Sequence, residues 1–190
     1  MTEQQPYEVV ERYPGFELRR YPEHVVAEVS VRGSFESAGN RAFSALFGYI
    51  TGQNRSASSI AMTAPVVQEL AGPEKIAMTA PVVQTETSAG EHVIAFVLPG
   101  SMKAESAPVP TDPQVRIRAV PERLAAVTRY SGRWAESAYR RHLAGLEAAT
   151  TQAGFVPVGV ARFARFDPPF TPWFLRRNEV VQDVRRSDDA

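Results

Sequence analysis

The sequence predicts an α+β fold: about eight short antiparallel strands in a sheet or distorted barrel, arranged as two pseudo-repeats, with two long helices packed outside. Three observations carry that expectation. Alternating apolar positions mark the strands. Two stretches with apolar residues every three to four positions mark the helices. The second half of the chain then restates the first half's order of elements without restating its residues. With 190 residues, 44% of them hydrophobic and 22% charged, the chain has the size and composition of one globular domain.

Each element follows from local chemistry. Residues 7–13 and 16–21 read as strands around a Pro14-Gly15 turn. Val25, Ala27, Val29 and Val31 alternate with more polar neighbours, as in a half-buried strand. Ser34 is placed to N-cap a helix whose apolar face uses Phe35, Gly39, Ala42, Phe43, Leu46, Phe47 and Ile50, with Gly52 at its stop. Gly39, Ser44 and Gly48 weaken that helix, so packing must help hold it. The word IAMTAPVVQ then occurs twice, at 60–68 and 76–84; each copy reads as an extended segment broken by a proline, Pro65 or Pro81. Residues 92–98 (HVIAFVL) read as a buried strand, and 99–113 as a polar, proline-rich connection.

In the second half, 115–119 and 124–130 are strands about a turn at Pro121. A helix over 133–153 is expected to end at Gly154, its apolar face carrying Ala135, Tyr139, His142, Leu143, Leu146 and Ala149. Strands over 158–166 and 178–184 complete the order strand, strand, helix, strand, strand. The core spans about 6–184, and 185–190 read as a flexible tail.

Composition excludes several chemistries. Basic and acidic residues balance at 21 each, so there is no overall electrostatic footprint for nucleic acid or an anionic membrane. The absence of cysteine removes disulfides, thiolate metal sites, cysteine nucleophiles and cysteine-ligated heme. The polar start lacks the pattern of a signal peptide, and no apolar run approaches a membrane span. A cytoplasmic monomer with no nucleic-acid or membrane partner is the expectation. No nucleophile elbow, phosphate loop or HExxH motif is present, which argues against catalysis.

Three segments, together with the opening YEVVERYPGFELRRY, resemble the SOUL/heme-binding family over about 6–184. They are the doubled IAMTAPVVQ, Tyr130-Ser-Gly with its following helix, and FDPPFTPWFLRRNEV at 166–180. The resemblance implies a distorted antiparallel barrel flanked by two helices, akin to gyrase-inhibitor-like proteins and the effector-binding domains of multidrug-sensing activators. It also implies a groove for heme or another tetrapyrrole beside the first helix, with mainly apolar contacts. One branch of the family has a candidate axial histidine just before the tyrosine of the second strand; here that position is Arg20.

Heme needs a slot of apolar surface, cations for its propionates and, optionally, an iron ligand. Phe43 and Phe47, four apart on the first helix, suit either the core or a ring-stacking wall; their pattern alone favours the core, and the implied groove puts the wall on a level with it. Arg41 lies near enough to meet a carboxylate. Met62 and Met78 hold equivalent places in the doubled word and suit a pocket for flat ligands, or a core gap. Phe170 and Trp173, on a loop stiffened by Pro168, Pro169 and Pro172, read as a lid or as a seal over one barrel end, with Arg176 and Arg177 as cations. His24 is the candidate iron ligand among three histidines. The function read from these residues is a heme or tetrapyrrole buffer, carrier or delivery protein. The alternative is a small-molecule module of the multidrug-effector type, including a hydrolase variant that uses Glu179 as acid or base.

Overall fold

Pro14-Gly15 does turn the chain, and the left-handed φ of 92° at Gly15 is what a side chain there would resist. In the computed structural model, which describes residues 3–56, 72–88 and 90–189, the chain runs β1 (Glu3–Gln4), β2 (Glu8–Tyr13), β3 (Phe16–Tyr21), β4 (His24–Arg32) and α1 (Phe35–Thr51). It continues through β5 (Asn54–Arg55), β6 (Thr79–Ala80), β7 (Val82–Ser88), β8 (Glu91–Val97), β9 (Val109–Pro110), β10 (Arg116–Val120) and β11 (Arg123–Tyr130). Then come α2 (Glu136–Gln152), β12 (Phe155–Pro157), β13 (Arg162–Arg165) and β14 (Asn178–Arg186). The first copy of the doubled word, with Met62, lies outside the described residues. The second supplies β6 and β7 on either side of Pro81.

The α+β class holds, with both helices present. Ser34 caps α1 by accepting a hydrogen bond from the Ser37 backbone N–H. Gly52 ends the helix at φ 121°. Three boundaries differ from the sequence reading. The second helix begins at Glu136, because 131–135 form a turn in which the Gly132 carbonyl accepts from the Asn178 amide. The strand expected over 158–166 is shorter, only β13 at Arg162–Arg165: the chain turns at Gly159 (φ 64°), and β12 at Phe155–Pro157 precedes that turn as a separate neighbour of β14. At residue 185, the expected start of the tail, the chain is still in β14, which extends to Arg186, and a short 3-10 turn follows over Ser187–Asp189.

The expected barrel does not close. Ten strands form one antiparallel sheet in the order β10-β4-β8-β7-β13-β14-β11-β3-β2, with β12 also on β14. Its ends carry charges at Arg116 and Arg118 on one side and Glu8, Glu11 and Arg12 on the other. Charged side chains are a common way for an edge strand to refuse a further partner. Between β10 and β3 the order is a palindrome: exchanging β10 with β3, β4 with β11, β8 with β14 and β7 with β13 returns the same sheet reversed. The two pseudo-repeats thus meet at the β7–β13 pair.

Strand alternation gives the sheet two different faces. Val25, Ala27, Val29, Ile94 and Phe96 face α1, and Leu18, Ala126, Phe163 and Val180 join Leu146 of α2. The alternate residues face away from the helices. Seven steps separate β3 from β10, about 34 Å in a flat sheet at strand spacing, yet Tyr21 and Val120 line one cavity. The sheet therefore curls strongly around that face.

Candidate functional site

The outer face of α1 is the first of three places with functional character. Phe43 and Phe47 stack on each other at 5.4 Å and 14° between ring planes, and remain 41% and 44% exposed. Phe43 also meets the buried Phe96 edge-on at 5.8 Å. The residues that bury α1 are Phe35, Ala38, Gly39, Ala42, Leu46, Tyr49 and Ile50. The two phenylalanines thus flank the core stripe without entering it. Met78, in the chain just before β6, is also exposed. Arg41 donates to the Arg32 carbonyl at 2.8 Å, which holds the turn into the helix.

The second place is a pocket of about 520 Å³ between the N-terminal half of α1, the 131–135 turn and the proline-rich loop. Glu36 and Asn40 line it from α1; by helical periodicity they share a face with Phe43 and Phe47, spread over about 16 Å of axis. Phe170, Trp173 and Arg176 line it from the loop, and Arg133 and Trp134 from the turn. The loop wraps around Arg176, whose guanidinium donates to the carbonyls of Thr171 (2.8 Å) and Pro169 (2.6 Å) and lies 4.3 Å over the Trp134 ring. Its aromatic residues face solvent, with Phe170 86% exposed. The loop therefore seals no barrel end: the sheet is open, and no end exists for it to close.

The third place is the concave face of the sheet, a cavity of about 90 Å³ floored by Val26, Val83, Ala95, Val97 and Val181. Glu179 stands in its wall, fully buried. Arg19 donates to both its oxygens, at 2.9 and 3.3 Å, and Arg177 donates twice to Oε1, at 3.0 and 2.7 Å. Arg177 is thus committed to Glu179 and does not join the pocket under the loop. His24 lines the same concave cavity, with Nε2 3.1 Å from the Gln5 amide and Nδ1 2.9 Å from the Pro22 carbonyl. The neutral tautomer protonated at Nδ1 satisfies both contacts and leaves no lone pair for a metal. Burial holds this imidazole below its ordinary range, and Arg162, Arg118 and Arg123 add to the effect against the pull of the Pro22 carbonyl. His24 and the Phe43–Phe47 pair lie on opposite sides of the sheet, so one ligand cannot use both. Among the described residues no cluster of His, Asp or Glu could hold a metal ion, and no helix is long and apolar enough to cross a membrane.

Asp183 anchors the same side. Arg162 grips it with two hydrogen bonds (2.7 and 2.5 Å), and Arg123 adds a third at 2.6 Å. Burial alone would raise this carboxyl; the two guanidiniums outweigh it and hold the group below its usual value. A carboxyl depressed on folding contributes stability above its unfolded pKa of about 4, and that contribution is lost as pH falls through the folded value. Asp183→Asn is therefore expected to lower the urea midpoint at pH 7 and to flatten its decline between about pH 4 and pH 2. Parallel midpoint-against-pH curves for the two proteins would rule out this linkage.

With this geometry in place, the sequence comparison is decisive. The model of the SOUL heme-binding proteins matches residues 2–74 and 68–183. The chain belongs to the SOUL heme-binding family. The two matched stretches overlap at 68–74, from the last residue of the first copy of the doubled word to just before the second, so the break in the match falls at the duplication. None of the curated proteins matches the sequence. Among solved structures the SOUL-family chain is similar to the C-terminal domain of EcmrR, at TM-score 0.62 and 12% identity, covering 95% of this chain and 98% of that one. It is also similar to a hydrolase from Listeria innocua, at TM-score 0.56 and 13% identity, covering 87% and 90%. Likeness at such identity is a likeness of fold, and one fold hosts many functions.

Sequence reasoning missed three participants: Arg165, Trp134 and the concave face's Arg162. A signal existed. Arg162 and Arg165 punctuate the strand ARFARF, where buried strands carry few charges, and a charge in such a strand calls for a partner.

Proposed function

We propose that this chain binds heme or another tetrapyrrole along the outer face of α1 and buffers, carries or delivers it without chemical turnover. The observation that carries the reading is the half-exposed, mutually stacked Phe43–Phe47 pair. Two large rings left at the surface offer a flat apolar ligand both burial and stacking. The pocket at the N-terminal end of the same helix face, at about 520 Å³, falls within the range of small-molecule sites, roughly 300–1,000 Å³. Trp134, Trp173 and Phe170 give it aromatic walls, and Arg133 and Arg176 give it positive charge. These residues suit an apolar macrocycle with acidic substituents. Bound heme would supply a redox-active iron and its visible absorption. The chain's residues supply apolar contact and cations, while His24 lies across the sheet, His92 is buried, and His142 is stacked on Tyr130 at 4.0 Å.

Hemin titration followed by absorbance tests the proposal. Wild type is expected to show a saturable Soret change, Phe43→Ala with Phe47→Ala to bind about tenfold more weakly, and His24→Ala to bind as wild type does. Nonsaturating binding, or equal affinity in wild type and the double variant, would overturn the assignment to α1.

The alternative, a small-molecule module of the multidrug-effector type with hydrolysis at Glu179, draws support from the fold likeness and the apolar floor of the concave cavity. Two magnitudes weigh against it. About 90 Å³ is less than the roughly 150 Å³ of a cavity that takes benzene. Both oxygens of Glu179 are also engaged by guanidinium donors, three on Oε1 and one on Oε2, which compete with any substrate for the carboxylate.

A further inference from the structure

A row of three polar residues crosses the helix-facing side of the sheet. Arg165 of β13 pairs in register with Asn178 of β14, which pairs with Tyr130 of β11. All three are buried, with Arg165 only 7% exposed. Among the described residues Arg165 has no carboxylate partner: its guanidinium donates from Nη2 to the Gln84 side-chain carbonyl, and Nε–H donates to nothing. Tyr130 OH and Trp134 Nε1 are likewise buried without partners. Burial pulls the Arg165 guanidinium down to about 10, and Tyr130 opposes the shift. Arg165 lies over the Trp134 and Phe163 rings but, with no carboxylate beside it among the described residues, leaves a buried cation and three unmet donor groups next to the equally unmet Asn178 Oδ1. Such an arrangement is costly, and proteins retain it where something arrives to satisfy it.

The pocket under the loop is the approach that the structure offers: Arg165 and Tyr130 stand behind its lining, and Trp134 belongs to both. Its ring lines that pocket and stands 5.2 Å from the Arg165 guanidinium. Arg176 lies over the same ring, and Arg133 over Trp173 at 5.6 Å, neither in an ion pair among the described residues. The pocket's one acidic side chain, Glu36, already accepts from the Glu136 backbone N–H at 3.1 Å. Gly39, adjacent in α1 to the pocket residue Asn40, makes room for the cation: a Cβ there would lie 2.5 Å from Nη1 of Arg165.

We propose that Arg165, Tyr130 and Trp134 form a carboxylate site at the base of this pocket, which anchors an acidic group carried on a flat apolar ligand. A carboxylate accepts from several donors at once, and a bond to a buried guanidinium is roughly twice as strong as a neutral one. The aromatic walls select a carboxylate borne on a ring system over a free inorganic anion. The proposal rests on the tetrapyrrole reading for the identity of that ligand, whereas the anion chemistry belongs to the chain itself.

The test compares hemin with hemin dimethyl ester, whose acidic groups are masked, on wild type, Arg165→Gln and Trp134→Phe. Hemin is expected to bind wild type at least tenfold more tightly than the diester. Arg165→Gln should bind the two alike with diester affinity unchanged, and Trp134→Phe, which removes the indole N–H together with part of the ring, should reduce the preference partway. Equal binding of acid and ester to wild type, or a preference undiminished in both variants, overturns the site while leaving tetrapyrrole binding intact. If neither hemin nor its ester binds, the tetrapyrrole reading has failed, and thermal melting with 2-naphthoate against 2-naphthol decides the site separately. A rise in Tm with naphthoate alone, absent from Trp134→Phe, supports it. No rise, or the same rise with inorganic phosphate, overturns it.

Discussion

Replacing Glu179 by glutamine is expected to destabilise the protein by about 3 kcal/mol, the cost of leaving a buried ion without its counter-charge. The carboxylate is fully buried and stands between Arg19, whose side chain is 4% exposed, and Arg177, at 17%. Glutamine keeps the shape and one acceptor oxygen but removes the negative charge, so two shielded guanidiniums face each other across a neutral amide. Glu17 shares Arg19 at 2.8 Å but sits nearer the surface and does not reach Arg177. At the usual scaling for a chain of this length, the loss corresponds to a Tm lower by roughly 6–12 °C. Urea denaturation of wild type and variant measures it directly. The double variant Arg19→Met with Glu179→Met should lose less than the sum of its parts, because it removes the charge and its desolvation together. An unchanged midpoint in Glu179→Gln would mean that the carboxylate is not held as an ion, and would return it to candidacy as an acid or base.

Glu179 also marks how far the sequence could be read. Its two arginine neighbours in the chain, Arg176 and Arg177, were legible as cations, but their destinations were not. Strand alternation sends Glu179 to the concave face, opposite to Asn178, and its principal partner, Arg19, is 160 residues away. Period-two and period-3.6 patterns report which face a residue takes, and they located β2, β3, β4, α1, β8 and β11 to within a few residues. They do not report which strand lies alongside. The sheet order that brings β3 beside β11, and places His24 on the far side from Phe43, comes from long-range pairing. Closure was unreadable for the same reason: an edge is defined by a partner that is missing, and the charges on β2 and β10 hint at it only once the order is known. The exposed pair Phe43 and Phe47 fits the helical apolar pattern as well as a core pair does. Only three-dimensional packing shows that Leu46, Tyr49 and Ile50 fill the core without them.

Gly39 and Gly48 are the same residue in the same helix, and sequence reading treats both as weak points. Their substitutions are expected to have opposite signs. Alanine in a helix interior is worth about 1 kcal/mol over glycine, so each change starts with that gain. At Gly39 the new Cβ would lie 2.5, 2.6 and 2.9 Å from the three outer atoms of the Arg165 guanidinium, which is buried between α1 and the sheet and held by Gln84. Overpacking of this kind costs about 1–3 kcal/mol, and displacing the guanidinium from Gln84 orphans that side chain's buried carbonyl oxygen, its NH2 still donating to Phe35. Gly39→Ala should therefore destabilise by about 2 kcal/mol net, and it should also erase the preference for free acid over diester. At Gly48 the Cβ would meet the side-chain end of Gln53, an exposed residue just past the helix that can move into solvent. Gly48→Ala should leave the protein as stable as wild type or up to about 1 kcal/mol more stable. Thermal melts of the two single variants separate these outcomes. A loss at both positions would mean that α1 tolerates no side chain on either flank. A gain at both would mean that the guanidinium of Arg165 is free to move, and the carboxylate site would then lose the rigid cation on which it depends.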